Sequence, residues 1–237
     1  MPAARDCALV TLQIGEAPYF APARQNFQRL CAQFSWDFRI IDQRWWRLLP
    51  IRRAVRRLQF EKFQLFDLLA EYRRILFLDS DILALPSLPD VFAEVPETSL
   101  GCVDEATGPL AWKREAEREK ALRKRPLPDW TTGYFNSGML VLSHVHRPLF
   151  EMRRWQLLGG RWADQTTLNH RARSLGIPLN ALDSRFNFLP VFEGWNERER
   201  RLQAHLIHYA GRAGKAAYAA DLEHVEARWR APAPTAT

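Results

Sequence analysis

The stretch Ile75-Leu76-Phe77-Leu78-Asp79-Ser80-Asp81-Ile82-Leu83 constrains this chain more than any other. Four apolar residues rich in β-formers run into two carboxylates one residue apart, and apolar residues then resume. A continuous apolar run of this length reads as a strand buried on both faces, inside a parallel sheet. Burying two carboxylates in the middle of such a run costs several kcal/mol unless a cation or good partners compensate. The strand is therefore expected to end at Asp79, with its C-terminal end open onto a cleft, where ligands bind in open α/β sheets. Two carboxylates at that edge suit a hard divalent ion and a phosphorylated substrate.

The flanking pattern supports such a sheet. Cys7 to Leu12 reads as a first strand, Tyr19 to Phe34 as a helix, Phe38 to Ile41 as a second strand and Phe60 to Tyr72 as a helix feeding the central one. That order predicts a Rossmann-like sheet with right-handed crossovers. Further on, Val91 to Val95 is a short helix, Leu100 to Asp104 a strand and Trp112 to Arg125 a charged, solvated helix. Met139 to Leu142 is a strand, followed by helices over Pro148 to Leu158 and Asp164 to Leu175, and Leu206 to Tyr209 is a last strand. One domain over 1–230 is expected, with 231–237 a disordered low-complexity tail.

Cys7, Cys31 and Cys102 are odd in number and set in apolar surroundings, so they read as reduced core thiols. No apolar stretch approaches the roughly 20 residues that span a bilayer. Gln13, Gly15 and Glu16 interrupt the first apolar run, so no secretory leader is expected and the cytoplasm is the default compartment. The formal charge of +7 favours anionic partners without choosing among nucleic acid, an acidic membrane and nucleotide phosphates.

Five motifs then occur in order: Leu78-Asp79-Ser80-Asp81, Phe135-Asn136-Ser137-Gly138, Asp164-Gln165-Thr166-Thr167-Leu168-Asn169, Arg185-Phe186-Asn187-Phe188-Leu189-Pro190 and His208-Tyr209-Ala210-Gly211. Together, over residues 7–216, they resemble the family 8 glycosyltransferases, which include glycogenin and bacterial lipopolysaccharide galactosyltransferases. The resemblance implies a GT-A fold, a manganese cofactor (with magnesium as the second choice), a nucleotide-sugar donor that is usually UDP-linked, and transfer with retention. It makes Asp79 and Asp81 the metal-binding pair and His208 the third ligand. Two carboxylates with one imidazole suit Mn²⁺ better than Ca²⁺.

The same resemblance places Lys62, Ser80, Asp104, Asn136 and Ser137 against the donor, with Thr11, Leu12 and Tyr19 holding its base. Asp164 would orient the sugar, and Gln165 would stabilise the oxocarbenium-like centre, where a carboxylate or amide oxygen is suited to the task. One departure stands out. The family pattern His-x-x-Gly-x-x-Lys is stretched here to His208-Tyr209-Ala210-Gly211-Arg212-Ala213-Gly214-Lys215. Either Lys215 reaches the diphosphate through Gly214, or Arg212 substitutes for it.

Residues 44–57 hold Trp, Leu and Arg with no acid and read either as an interfacial segment for anionic lipid or as a cleft-side loop; nucleic-acid contact is the weakest reading. A saccharide or glycolipid acceptor follows, with peripheral contact at the inner membrane. Two rivals remain. A nucleotidyltransferase would carry a Gly-rich basic loop after the first strand, where this chain has only Gly15. An inactive anion-binding relative would be expected to have lost metal ligands.

Overall fold

The computed structural model describes residues 5–45, 58–152 and 157–231. The basic stretch from residue 46 to 57 and the tail from 232 onward lie outside those residues. Helix α1 (Phe20–Phe34) connects strands β1 (Arg5–Leu12) and β2 (Asp37–Ile41), and α2 (Leu65–Glu71) leads into β3 (Tyr72–Asp79). After β4 (Ile82–Ala84) come α3 (Val91–Glu94), β5 (Leu100–Cys102), α4 (Ala111–Lys124) and β6 (Met139–Ser143). The chain ends with α5 (Ala163–Ser174), β7 (Leu179–Ala181), α6 (Arg198–Arg201), β8 (Leu206–His208) and α7 (Gly211–Arg230).

Six strands form one sheet in the order β2-β1-β3-β6-β5-β7. Only β6 runs against the others, pairing antiparallel with both β3 and β5. Ile75, Leu76, Phe77 and Leu78 are fully buried, as the apolar run required. Their side chains alternate between two cores. Leu76 and Leu78 join Phe27, Leu30 and Val225 on one face, while Ile75 and Phe77 join Leu65, Leu69 and Leu168 on the other. Helices thus cover both faces, with α1 and α7 on one side and α2 and α5 on the other.

A second sheet, β4 with β8, was not legible as such. The strand ending in His208 pairs with β4, not with the main sheet, and Ile82 lies opposite His208. Asn26 on α1 fixes that small sheet by donating to the Ala84 carbonyl and accepting from the Ala84 N–H, at 2.9 and 2.7 Å. Trp229 on α7 donates to the same carbonyl at 2.8 Å.

Other elements differ in detail from the sequence expectation. The helix expected over Pro148 to Leu158 is replaced by a 3-10 turn over His144–Phe150, with Glu151, Met152, Leu157 and Leu158 non-helical and 153–156 outside the described residues. Pro148 supplies no N–H to an α-helical ladder, and the Ser143 N–H is held by His146 at 2.9 Å. The helix into β3 begins as a 3-10 segment, Leu58–Gln64, before α2. The α4 helix is less solvated than its composition suggests, since Arg114 and Ala121 are buried. Cys7, Cys31 and Cys102 are all unpaired. Among the described residues no helix is long and apolar enough to cross a membrane.

Candidate active site

The sheet brings its chemistry to one edge. Asp79 is the last residue of β3 and sits in register with Leu12 at the end of β1. Because β6 is antiparallel, its N-terminal end reaches the same edge, and the Asp79 N–H donates to the Gly138 carbonyl at 2.7 Å. The first turn of α5, carrying Asp164 and Gln165, points there too. The β4–β8 pair completes the wall, and the Tyr209 N–H holds the Asp81 carbonyl at 2.9 Å.

Asp79, Asp81 and His208 each present a ligand atom, all within 4.8 Å of one another. His208 Nε2 lies 3.2 Å from Asp81 Oδ1 and 4.0 Å from Asp79 Oδ2. Burial opposes charge on the imidazole most strongly, but Asp81 and Asp79 together hold the His208 pKa above its ordinary 6.5.

A chain of side-chain amides fixes which imidazole nitrogen faces the carboxylates. The Gly138 N–H can only donate, and it donates to Asn136 Oδ1 at 2.8 Å. The same oxygen accepts from Asn187 Nδ2 at 2.9 Å, which turns Asn187 Oδ1 onto His208 Nδ1, also at 2.9 Å. An acceptor at Nδ1 keeps a proton there, so Nε2 is the nitrogen left to bind a cation.

Gly138 matters for space as well. A Cβ at this position would lie 2.3 Å from His208 Cε1 and 2.7 Å from Asp79 Oδ2. Only glycine lets this cluster close. Two carboxylates, a correctly turned imidazole and a cradle that a methyl group would fill make a donor set that fits a divalent metal.

Lys62 is a buried cation beside the cluster. On the 3-10 segment before α2, its Nζ lies 3.1 Å from Asp79 Oδ1 and 3.4 Å from Asp164 Oδ2, and donates to the Ser137 carbonyl at 3.1 Å. Burial works against its charge, but Asp79 and then Asp164 hold its pKa above the usual lysine value. Ser137 Oγ donates to Asp164 Oδ2 at 3.1 Å, so Lys62 and Ser137 together orient that carboxylate.

Gln165 is oriented as firmly. Its Oε1 accepts from the Ser137 N–H and from Asn136 Nδ2, both at 3.2 Å. Its Nε2 is buried without a protein partner, on a residue that lines the cleft. Gln165 Nε2 is therefore left with N–H donors that no described residue uses, while its oxygen is already engaged.

The cleft holds about 580 Å³, bounded by Lys62, Asp79, Asp81, Asn136, Ser137, Asp164, Gln165, His208, Gly211 and Lys215. A side compartment of about 200 Å³ adds Leu12, Tyr19 and Ser80. Lys215 lines both. Its Nζ stands 3.9 Å from Asp81 Oδ2, 4.8 Å from the Tyr19 ring centroid and 3.3 Å from the Tyr19 hydroxyl, to which it donates. Gly214 is no flexible joint, since a Cβ there would lie 2.3 Å from the Tyr209 carbonyl carbon. It lets α7 approach β8 and bring Lys215 inward.

Three of the expected residues stand apart. Arg212 is exposed and outside the cleft lining. Thr11 is fully buried in β1 behind Leu12. Asp104 Oδ1 accepts from the N–H groups of Ala106 and Tyr134, at 2.8 and 2.9 Å, so it caps a turn. Its neighbour Glu105 lines the cleft instead, ion-paired with Arg114 and accepting from Asn136 Nδ2. Sequence reasoning passed over Glu105 and Arg114 and gave Asn187 no role, although its motif had been singled out.

Known proteins share this architecture. A glycosyltransferase involved in glycosylation of the major capsid of PBCV-1 superposes with a TM-score of 0.61 at 14% identity, over 93% of this chain and 98% of that one. The galactosyltransferase LgtC, in complex with donor and acceptor sugar analogs, gives 0.59 at 17% identity, over 96% and 98%. Mouse xyloside xylosyltransferase 1 gives 0.51 at 15% identity, over 86% and 97%. No curated protein sequence matches the chain. The fold is GT-A. The sequence profile of Glycosyl transferase family 8 matches residues 22–146, just over half of the chain. The chain belongs to glycosyltransferase family 8, and it is a glycosyltransferase.

Proposed function

We propose that this enzyme is a divalent-metal-dependent retaining transferase that moves a hexose from a nucleotide sugar, UDP-linked, to a saccharide or glycolipid acceptor. The observation that carries this reading is the closure of Asp79, Asp81 and His208 around one point, with Lys62 and Lys215 at its margin. These three side chains would hold Mn²⁺, the imidazole favouring it over harder ions. A bound metal would supply Lewis-acid stabilisation to the departing diphosphate.

This chain's own residues do the rest. Lys215 supplies positive charge on the open side of the cluster, taking the diphosphate role that the stretched motif left between it and Arg212. Leu12 and Tyr19 border the compartment suited to the base. The Asp164 carboxylate, oriented by Lys62 and Ser137, is the anion available to face positive charge developing at the anomeric carbon. Gln165 donates from Nε2 to a sugar oxygen, and Asn136 holds the Gln165 oxygen in place. No protein base is needed for the acceptor hydroxyl if a donor phosphate oxygen takes its proton. LgtC crystallised with donor and acceptor sugar analogs in the same overall fold, which agrees with this assignment.

The test is thermal denaturation with UDP, GDP and ADP, each with and without Mn²⁺. A ligand at 100 times its dissociation constant stabilises by about 2.7 kcal/mol. Stabilisation by UDP only when Mn²⁺ is present is expected. Indifference to every combination would sink the reading.

A further inference from the structure

Beside the transfer cleft lies a second cavity of about 450 Å³, between α4 and the loop from Leu158 to Trp162. It shares Lys113, Arg161 and Trp162 with the cleft, so a bound molecule can extend from one into the other. Its size suits a sugar residue or two. Nothing in the metal and donor machinery uses it.

The lining has a definite chemistry. Lys113, Glu117, Lys120 and Lys124 are spaced four, three and four residues apart, so they form one stripe along α4. With Arg161 opposite, the walls carry four cations and one carboxylate, a net +3. Glu117 is paired to Lys120 at 2.7 Å, and among the described residues Lys113 and Lys124 have no carboxylate partner. Two indoles border the cavity. Trp112 is 65% exposed, the most open large apolar side chain described, and Trp162 carries Arg114 over its ring at 4.2 Å. Gly159 and Gly160 form the facing loop with no side chain, leaving room for a ring to lie against an indole. An exposed Trp is costly to leave in water and gives a sugar's C–H face a surface to pack on. Lys113 Nζ lies 5.3 Å over the Trp112 ring, and with Lys124 it leaves positive charge there that no described carboxylate neutralises, which favours an anion.

We propose that this cavity is the subsite for the non-reacting part of an acidic acceptor saccharide, one bearing a carboxylate or a phosphate. The proposal rests on the transferase reading above and names the substrate class for it. The acid would sit along the α4 lysines, the ring against Trp112, and the reacting hydroxyl would reach the cleft past Trp162.

The test is isothermal titration calorimetry on the full chain with glucuronic acid, glucose 6-phosphate, glucose and inorganic phosphate, in the presence of UDP and Mn²⁺. The two acids are expected to bind at least ten-fold more tightly than either glucose or phosphate alone, and the tighter of the two identifies the acid group. The double variant Lys120→Ser with Lys124→Ser should erase that advantage while UDP–Mn²⁺ stabilisation is unchanged. Trp112→Ala should weaken all three sugars. Equal binding of glucose and the acids, phosphate binding as tightly as the sugar acids, or a double variant that keeps the preference would each overturn the proposal. Failure of UDP–Mn²⁺ to stabilise the chain is a separate result. It removes the UDP- and Mn²⁺-dependent donor reading on which the acceptor role rests, whatever the sugars do.

Discussion

The two sides of the cleft are built by opposite rules. On the metal side, Asn136, Asn187, Ser137, Gln165 and His208 are all buried, and each is held by at least one directional hydrogen bond. On the α4 side the lysines are exposed, two lack a carboxylate partner, and Trp112 stands in solvent. The first wall is preorganised, so a diphosphate and its cation would meet groups already in place, with little ordering left to do. The second wall leaves ordering to the ligand. Substitutions on the first should therefore act on turnover and metal affinity, and those on the second on acceptor choice.

The largest effect is expected from Asp81→Ala, which should lower metal-dependent turnover by at least a thousand-fold with the thermal midpoint of the free protein little changed. Full activity in that variant would remove the metal assignment. Gly138→Ala comes next. The added methyl must displace His208 or Asp79, so turnover and Mn²⁺ affinity should both fall about a hundred-fold. Mn²⁺ binding at wild-type strength, followed by calorimetry, would mean that the cradle is looser than the geometry indicates.

Asn187→Ala tests orientation alone. Loss of an outer partner to a metal-binding histidine typically costs about 10–100-fold in affinity. In the metal-free protein, ¹⁵N chemical shifts of His208 at a pH where the imidazole is neutral should show the proton no longer confined to Nδ1. A variant unchanged in both readouts would leave Asn187 as packing only.

The smallest effect is a pH dependence. In the metal-free protein the His208 pKa is raised, so its charged form adds stability below the unfolded value near 6.5, and that contribution is lost as pH rises through the folded value. A metal at Nε2 needs the neutral ring. The stabilisation given by Mn²⁺ should therefore grow as pH rises through the folded His208 value. If it is constant or shrinks, His208 is not the nitrogen ligand.

The same contrast explains what could be read from the chain. The apolar run into Asp79, the glycine of Asn136-Ser137-Gly138 and the strand-end His208 carry their placement in residue type and order, so the meeting of Asp79, Asp81 and His208 was legible. Asn187 carries its role in which way its amide is turned, and no composition records that. Asp104 and Glu105 are adjacent carboxylates. Which one enters the cleft depends on β5 ending at Cys102 and a turn beginning at Glu105, a boundary finer than periodicity resolves. The Lys215 displacement is absorbed because α7 starts at Gly211 and Gly214 lets the helix close on β8. On the α4 side only a charged helix could be read from composition. That Lys113, Lys120 and Lys124 face a cavity and not open solvent depends on a loop 40 residues further on, Leu158 to Trp162 (158 − 118, from the helix midpoint).

The pairing of Ile82 with His208 has a consequence for how the molecule comes into being. Asp79 and His208, which meet in the cluster, are separated by 129 positions along the chain (208 − 79). Neither half of the chain can assemble the cluster alone, so a cation held there could not nucleate folding. It could only clasp a molecule whose C-terminal strand has already found β4. Such a cation would close a long loop, and the stabilisation from such a closure grows with loop length. A chain still emerging from the ribosome, with β8 not yet made, would lack the site and could not turn over a donor.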